Sequence, residues 1–339
     1  MSTLRKVRYR AAKSGLRIPI IWIRHRGLTH NDVFIASYPR SGSTWLRFML
    51  FEILTQKDAE FDDVNRHIPV VGAQRDAMAL LPNQGRLIRT EEAFRPDYRR
   101  AIYIVRDGRD VALSEYAYQK AQGWIDCSFD DYLKTFVNGK ASPYGSWEEN
   151  VRSWIESPLN ARGDLMLVSY RELRQRTEPT LTRIAEFLKV RFPAQVIQNA
   201  IHNNNLQSMR KKEDRAPQIG YDPRTNSIPE EKRFVRSGAV GGWRVGLTPA
   251  QAEYLRRNLG KMLVRLGFEK GPSAVPASAA SAGYLQPGQK IARTFSLNNR
   301  STACPSAIAG WVKSSGAEQI EIMEGNVGSV VGRSEIVDE

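Results

Sequence analysis

Nine residues, "SYPRSGSTW" (37–45), constrain this 339-residue chain more than any other stretch. The "DVFIA" before them has the β-branched and aromatic character of a buried strand, and the "LRFMLFEIL" after them runs on as a mostly apolar helix. A strand, a tight turn on Gly42 and a helix N-terminus together make an anion cradle. Unpaired backbone N–H groups and the positive end of the helix dipole converge on the turn. Ser41, Ser43 and Thr44 offer hydroxyls, and Arg40 offers a guanidinium that can fork onto a phosphate. A polar strand–helix turn with a serine cap is the plainer alternative.

The register excludes an ATP loop. With Gly42 as the second glycine of G-x-x-x-x-G-K-[ST], the first glycine falls on Ser37 and the lysine on Ser43. Only the hydroxyl of Thr44 fits, so the loop suits a smaller anion than a triphosphate with magnesium.

Further strands follow. "RLIRT" (86–90) runs into two glutamates, and "AIYIV" runs into "RDGRD" and the amphipathic "VALSEYAYQK". Strand, short polar turn and helix, repeated, specify a single α/β domain, a P-loop-like parallel sheet flanked by helices. Ligands of such sheets sit at the C-terminal strand ends, which gathers residues 40–44, 90–92 and 106–110 along one edge. Arg106 closes a strand and Ser114 lies about two helical turns further on, so the two can converge on a second phosphate. A salt bridge from Arg106 to Asp107 or Asp110 is the alternative.

The formal charge is +14, and residues 1–30 hold eight Lys or Arg and no acid. This basic leader carries "IPIIWI", which either reaches a membrane interface as a peripheral anchor or packs on the domain edge. Pro19 interrupts any single long helix there. The "GPSAVPASAASAG" that opens residues 271–339 marks a low-complexity tail, expected to be disordered. Two cysteines without a partner motif argue against a disulfide framework or a zinc site and fit a cytoplasmic protein. The charge admits a non-enzymatic nucleic-acid binder as a rival reading, but the basic residues gather in the leader and in three phosphate-type loops.

"SYPRSGSTWLRF" followed by "AIYIVRDGRDVALSEYAY" resembles the sulfotransferase family, whose donor is 3′-phosphoadenosine 5′-phosphosulfate. The first stretch is similar to the family's 5′-phosphosulfate loop and the second to its 3′-phosphate segment. "GSWEENVRSWIE" resembles the Trp-bearing helix, although Trp147 and Trp154 by themselves read as core residues. "DLMLVSYRELRQRTEPTLTRIAEFL" resembles the strand and helix that follow, placing Tyr170 near the adenine. Its own pattern reads as a strand and then a helix with Thr177 as N-cap. "NNNLQSMRKKE" places Leu206, where the family has Phe, and Met209 on the adenine side. "FVRSGAVGGW" is similar to the late "RKGxxGxW" motif, with Arg236 and Gly238 in place and Ser237 where a lysine is usual. "TPAQ" opens the last helix, Thr248 as cap and Pro249 at its first position. The resemblance spans residues 31–270.

The implied site comprises Arg40, Ser41, Gly42, Ser43, Thr44, Trp45, Arg106, Ser114, Tyr170, Leu206, Met209, Arg236, Ser237 and Gly238 for the donor, with no metal. Arg40 stands where the family places a leaving-group lysine. Where phenol- and steroid-acting members read "KTH", this chain reads Arg89-Thr90-Glu91. Glu91 is therefore the expected base, with Glu92 and His67 in reserve. The acceptor is expected to be a hydroxyl of a sugar or lipid-like molecule, with a phenol as an alternative. Residues 57–85, 115–145 and 210–233 are expected to shape its pocket. The runner-up enzyme is a small-molecule kinase, which would need the absent loop lysine.

Overall fold

The structure, a computed structural model, describes residues 17–72, 77–216 and 227–270. After a helix α1 (Arg17–His25) the chain enters β1 (Val33–Ser37), α2 (Ser43–Thr55) and α3 (Phe61–His67). A short β2 (Ala79–Leu81) leads to β3 (Gly85–Thr90), β4 (Ala101–Val105) and α4 (Gly108–Ala121). Then come α5 (Phe129–Val137), α6 (Trp147–Ile155), α7 (Pro158–Arg162) and β5 (Leu165–Ser169). The chain continues through α8 (Tyr170–Gln175), α9 (Thr177–Phe187), α10 (Ala194–Asn203) and α11 (Leu206–Arg215). It ends in α12 (Trp243–Gly246) and α13 (Pro249–Arg265).

The sheet order is β2-β3-β1-β4-β5, with every pairing parallel except β2 against β3. β1 lies in the middle, and all five of its residues are buried. Side chains alternate across a strand, so Ile35 joins the core beneath α2 while Phe34 and Ala36 join the core beneath α4, α6 and α13. Both faces are covered, which is why these strands read as unbroken apolar runs. Trp147 and Trp154 are buried in the second core. From β1 the chain goes to β3 on one side and β4 on the other, so a crevice opens beyond the C-terminal end of β1.

The edge strand β2 and the helix α3 lie in a stretch whose sequence reads as irregular. A three-residue strand carries too few alternations to show a period. Thr177 is not an N-cap: the helix starts at Thr177, Arg176 is its cap, and no side chain caps it. Only Arg176 separates α8 from α9, which leaves no room for a Thr-capped entry. Thr248 does cap α13, with Pro249 first and Gln251 reaching back to complete a capping box.

Pro19 sits inside α1, in its first turn, where the missing N–H has no partner to lose. Ile21 and His25 of α1 are buried against the domain, while Trp22 and Ile23 are 68% and 67% exposed. Arg86 ties the helix end down by donating to the carbonyls of His25 and Gly27 and pairing with buried Asp32. Residues 1–16 of the leader and the whole of the expected tail lie outside the described residues.

Candidate active site

β1 delivers the chain into the loop 38–42. Gly42 has φ 104°, a left-handed conformation that favours glycine, and it caps α2 with no side-chain hydrogen bond. A Cβ there would lie 2.6 Å from the ring of Tyr170. The first residue of α8 therefore packs directly on the turn. Arg40 also takes a left-handed φ of 63°. Ser43 is turned beneath the loop, where its Oγ accepts from Ser37 Oγ at 3.0 Å and from Arg89 Nε at 3.1 Å. Ser41 is 1% exposed, and its Oγ has no partner among the described residues.

Three guanidinium groups gather around this loop. Arg40 lies between the rings of Tyr118 and Phe234, 4.7 and 4.5 Å from their centroids, and donates to Ser114 Oγ and the Phe234 carbonyl. Arg106 forms neither of the salt bridges the sequence allowed. It donates to the carbonyls of Arg40 (2.9 Å) and Ala239 (3.0 Å), with Tyr170 stacked on it at 4.6 Å. Its Nε has no partner among the described residues. Arg236 stands at the exposed rim, yet enough of it is covered for its pKa to be lowered, first by burial and then by Arg106. Burial likewise lowers Arg40, Tyr118 and Glu115 pull it back up, and Arg106 and Arg236 add to the lowering. Among the described residues no carboxylate lies within salt-bridge distance of any of the three. Crowded cations without a salt-bridge partner among the described residues, beside an orphaned hydroxyl, fit a ligand with anionic groups.

The segment that carries Arg236 is pinned at both ends. Buried Glu213 accepts from the N–H groups of Phe234 and Val235, at 2.6 and 3.1 Å. Asp110 accepts from Gly241 and Trp243, at 2.8 and 2.9 Å. Between them Gly238, at φ 60°, offers its carbonyl to the Tyr170 hydroxyl at 3.1 Å. Ser237 is exposed and makes only a long local contact with Ala239, so no cation stands in its place.

The β1–β3 register sets Thr90 beside Ala36, so Glu91 emerges level with Ser37 at the foot of the loop. Glu91 is 7% exposed and paired with Arg89, whose Nε holds Ser43. That ion pair links the carboxylate through Arg89 to the loop. Asn150 of α6 fixes the Glu91 carbonyl at 3.0 Å. Glu92 is engaged elsewhere, accepting from Tyr98 OH at 2.6 Å. His67 contacts the carbonyl of Asp63 in its own helix and packs edge-on against Phe51. Both reserves thus have structural employment.

Trp45 Nε1 donates to the Asn204 carbonyl at 2.6 Å, bringing α2 against the turn before Leu206. Met209 is buried in the core beneath α2. Sequence reasoning missed Asp110 and Glu213 as anchors, and Tyr118 and Phe234 as walls around Arg40. The one available signal was their place inside the matching segments. Among the described residues no cluster of His, Cys, Asp and Glu could hold a metal ion.

The sulfotransferase domain family matches residues 30–267. The chain belongs to the sulfotransferase family. It is an enzyme that transfers a sulfuryl group from 3′-phosphoadenosine 5′-phosphosulfate, and the kinase and nucleic-acid readings are not favoured. Mouse Sulfotransferase 1B1 is 26% identical over 246 residues, spanning 66% of this chain and 80% of the relative. Human Sulfotransferase 2A1 is 28% identical over 236 residues, with the same coverage of 66% and 80%. The fold matches that of retinol dehydratase in complex with androsterone and the inactive cofactor PAP, at TM-score 0.58 and 18% identity. That match covers 75% of this chain and 85% of the other. Mouse sulfotransferase SULT7A1 complexed with PAP gives 0.54 at 20% identity, over 74% and 90% of the two chains. Among the described residues no helix is long and apolar enough to cross a membrane.

Proposed function

We propose that Glu91 is the general base of this sulfotransferase, that Arg40 stabilises the departing phosphate, and that the acceptor is a hydroxyl of a sugar or lipid-like molecule. The donor, when bound, supplies an activated sulfuryl group on a 5′-phosphate. The loop N–H groups, Ser41 and Thr44 bind its 5′ end, while Arg106, Ser114, Arg236 and Gly238 bind its 3′-phosphate. Tyr170, Trp45, Leu206 and Met209 belong to the adenosine side. Glu91 takes the proton of the attacking hydroxyl, and Arg89 orients it relative to the loop. Arg40 contributes charge rather than a proton, because a guanidinium stays protonated. By analogy with oxyanion donors that charge lowers the barrier by about 3 kcal/mol.

A single observation carries the reading: a buried carboxylate at the end of β3 is connected through Arg89 to Ser43 of the anion loop. Glu91→Gln should lower kcat by about 10²–10⁴-fold while leaving donor affinity unchanged. Near wild-type turnover in that variant would move the base elsewhere.

The exposed Trp22 and Ile23, beside a strongly basic leader, support a second reading. In it the enzyme is cytoplasmic and rests on the inner membrane surface through α1. Full-length protein should sediment with anionic vesicles and lose that binding in W22S/I23S. Equal binding by the double variant would refute it.

A further inference from the structure

Glu115 has no part in the chemistry above, and its surroundings call for one. It is fully buried on α4, one residue after Ser114. Its Oε1 accepts from Gln119 Nε2 at 2.8 Å, and its Oε2 is buried with no partner among the described residues. An unsatisfied buried carboxyl oxygen is costly, and a site that tolerates one has a use for it.

Helix geometry locates that use. Ser114 and Tyr118, one turn apart, meet Arg40, so this face of α4 looks onto the anion loop. Glu115 and Gln119 lie one position further round, where Gln119 also donates to the Ala141 carbonyl at 2.8 Å. The segment that follows carries Tyr144, whose pKa is raised first by burial and then by Glu91, Glu92 and, more weakly, Glu115. Burial and the Glu115 charge also raise Tyr38, Tyr118 and Tyr132. Glu115 thus stands beside the face of α4 that meets Arg40, on the donor side, and within electrostatic reach of Glu91, which takes the acceptor's proton. Burial pushes its pKa up to about 8, Gln119 and Arg40 pull it down, and Glu91 pushes it up again. Near neutrality the group is a carboxylic acid. With Oε1 accepting from Gln119, its proton sits on Oε2.

We propose that Glu115 is a specificity-determining residue whose Oε2–H donates to a second oxygen of the acceptor, so that the enzyme prefers polyols, sugars foremost, over monohydric alcohols and phenols. This deepens the reading of Glu91 as base and rests on it for the placement of the acceptor. A binding site built to hydrogen-bond a substrate oxygen discriminates against analogues that lack it, because the buried group is left unpaired.

The test compares wild type, Glu115→Gln and Glu115→Leu with methyl glucoside, its monodeoxy analogues and 4-nitrophenol as acceptors. The thermal shift given by adenosine 3′,5′-bisphosphate monitors fold and donor binding in each. Glu115→Leu should lose about 10- to 100-fold in kcat/KM for the glucoside and little for the phenol, whereas Glu115→Gln, which still donates, should lose less than tenfold. One deoxy analogue should suffer the same loss with wild type and no further loss with Glu115→Leu. Equal losses on glucoside and phenol, indifference to every deoxygenation, or a wild type that sulfates the phenol and no sugar would each overturn the proposal. Failure of Glu91 as base would show separately, as full turnover in Glu91→Gln, because selectivity between two acceptors does not depend on which group takes the proton.

Discussion

Glu91 and Glu115 are both buried, but only Glu91 has a cation to pair with: it meets Arg89, whereas one carboxyl oxygen of Glu115 has no hydrogen-bond partner among the described residues. The burial of Glu115 has a consequence for stability. The folded protein holds the Glu115 proton up to about pH 8, whereas the unfolded chain releases it near the ordinary 4.5. Between those values the native state binds the extra proton, so this group's contribution to stability falls as pH rises, by up to about 1.4 kcal/mol per unit. Glu115→Gln should therefore gain stability relative to wild type between pH 5 and pH 8. Urea titrations at both values measure the difference, and a gap that does not widen with pH would mean the side chain ionises freely in the fold.

At the scale of elements, the four parallel strands were legible because a sheet covered on both faces writes itself as short apolar runs, whereas the edge strand β2 and the sheet order were not. The Thr248 cap was legible because capping is local. What escaped were the long-range pins. Asp110 on α4 holds the N–H groups of Gly241 and Trp243, and through them the segment bearing Arg236. In sequence it is merely one acid in "RDGRD", available to Arg106 as a salt-bridge partner. Asp110→Ala leaves two backbone donors without their carboxylate and frees the segment. Hydrogen bonds to a charged group contribute about 1.5–3 kcal/mol each, so donor affinity should fall by at least tenfold through misplacement of Arg236. Calorimetric titration with adenosine 3′,5′-bisphosphate reads the loss. Unchanged affinity would mean that other contacts, those of Glu213 among them, hold the segment alone.

The whole molecule brings together three arginines that lie 66 and 130 positions apart in the chain, Arg40, Arg106 and Arg236. Each came from a different motif, and no local pattern could state that they meet without a salt-bridge partner among the described residues. Because burial and mutual repulsion lower the pKa of Arg40 and Arg236, a ligand with two phosphates should stabilise the entire fold. At a hundred times its Kd, adenosine 3′,5′-bisphosphate adds about 2.7 kcal/mol, or roughly 5–10 °C in Tm for a domain of this size. The division of labour among the arginines then becomes measurable. Adenosine 5′-monophosphate lacks the 3′ group, so the affinity ratio between the two nucleotides isolates recognition of that phosphate. Arg236→Ala should shrink the ratio by about 10- to 100-fold, the value of a charge-assisted phosphate contact. Arg40→Ala should weaken both nucleotides together and leave the ratio intact. A ratio that survives Arg236→Ala would place the 3′-phosphate away from the late glycine segment, and the donor would have to lie across the loop in another direction.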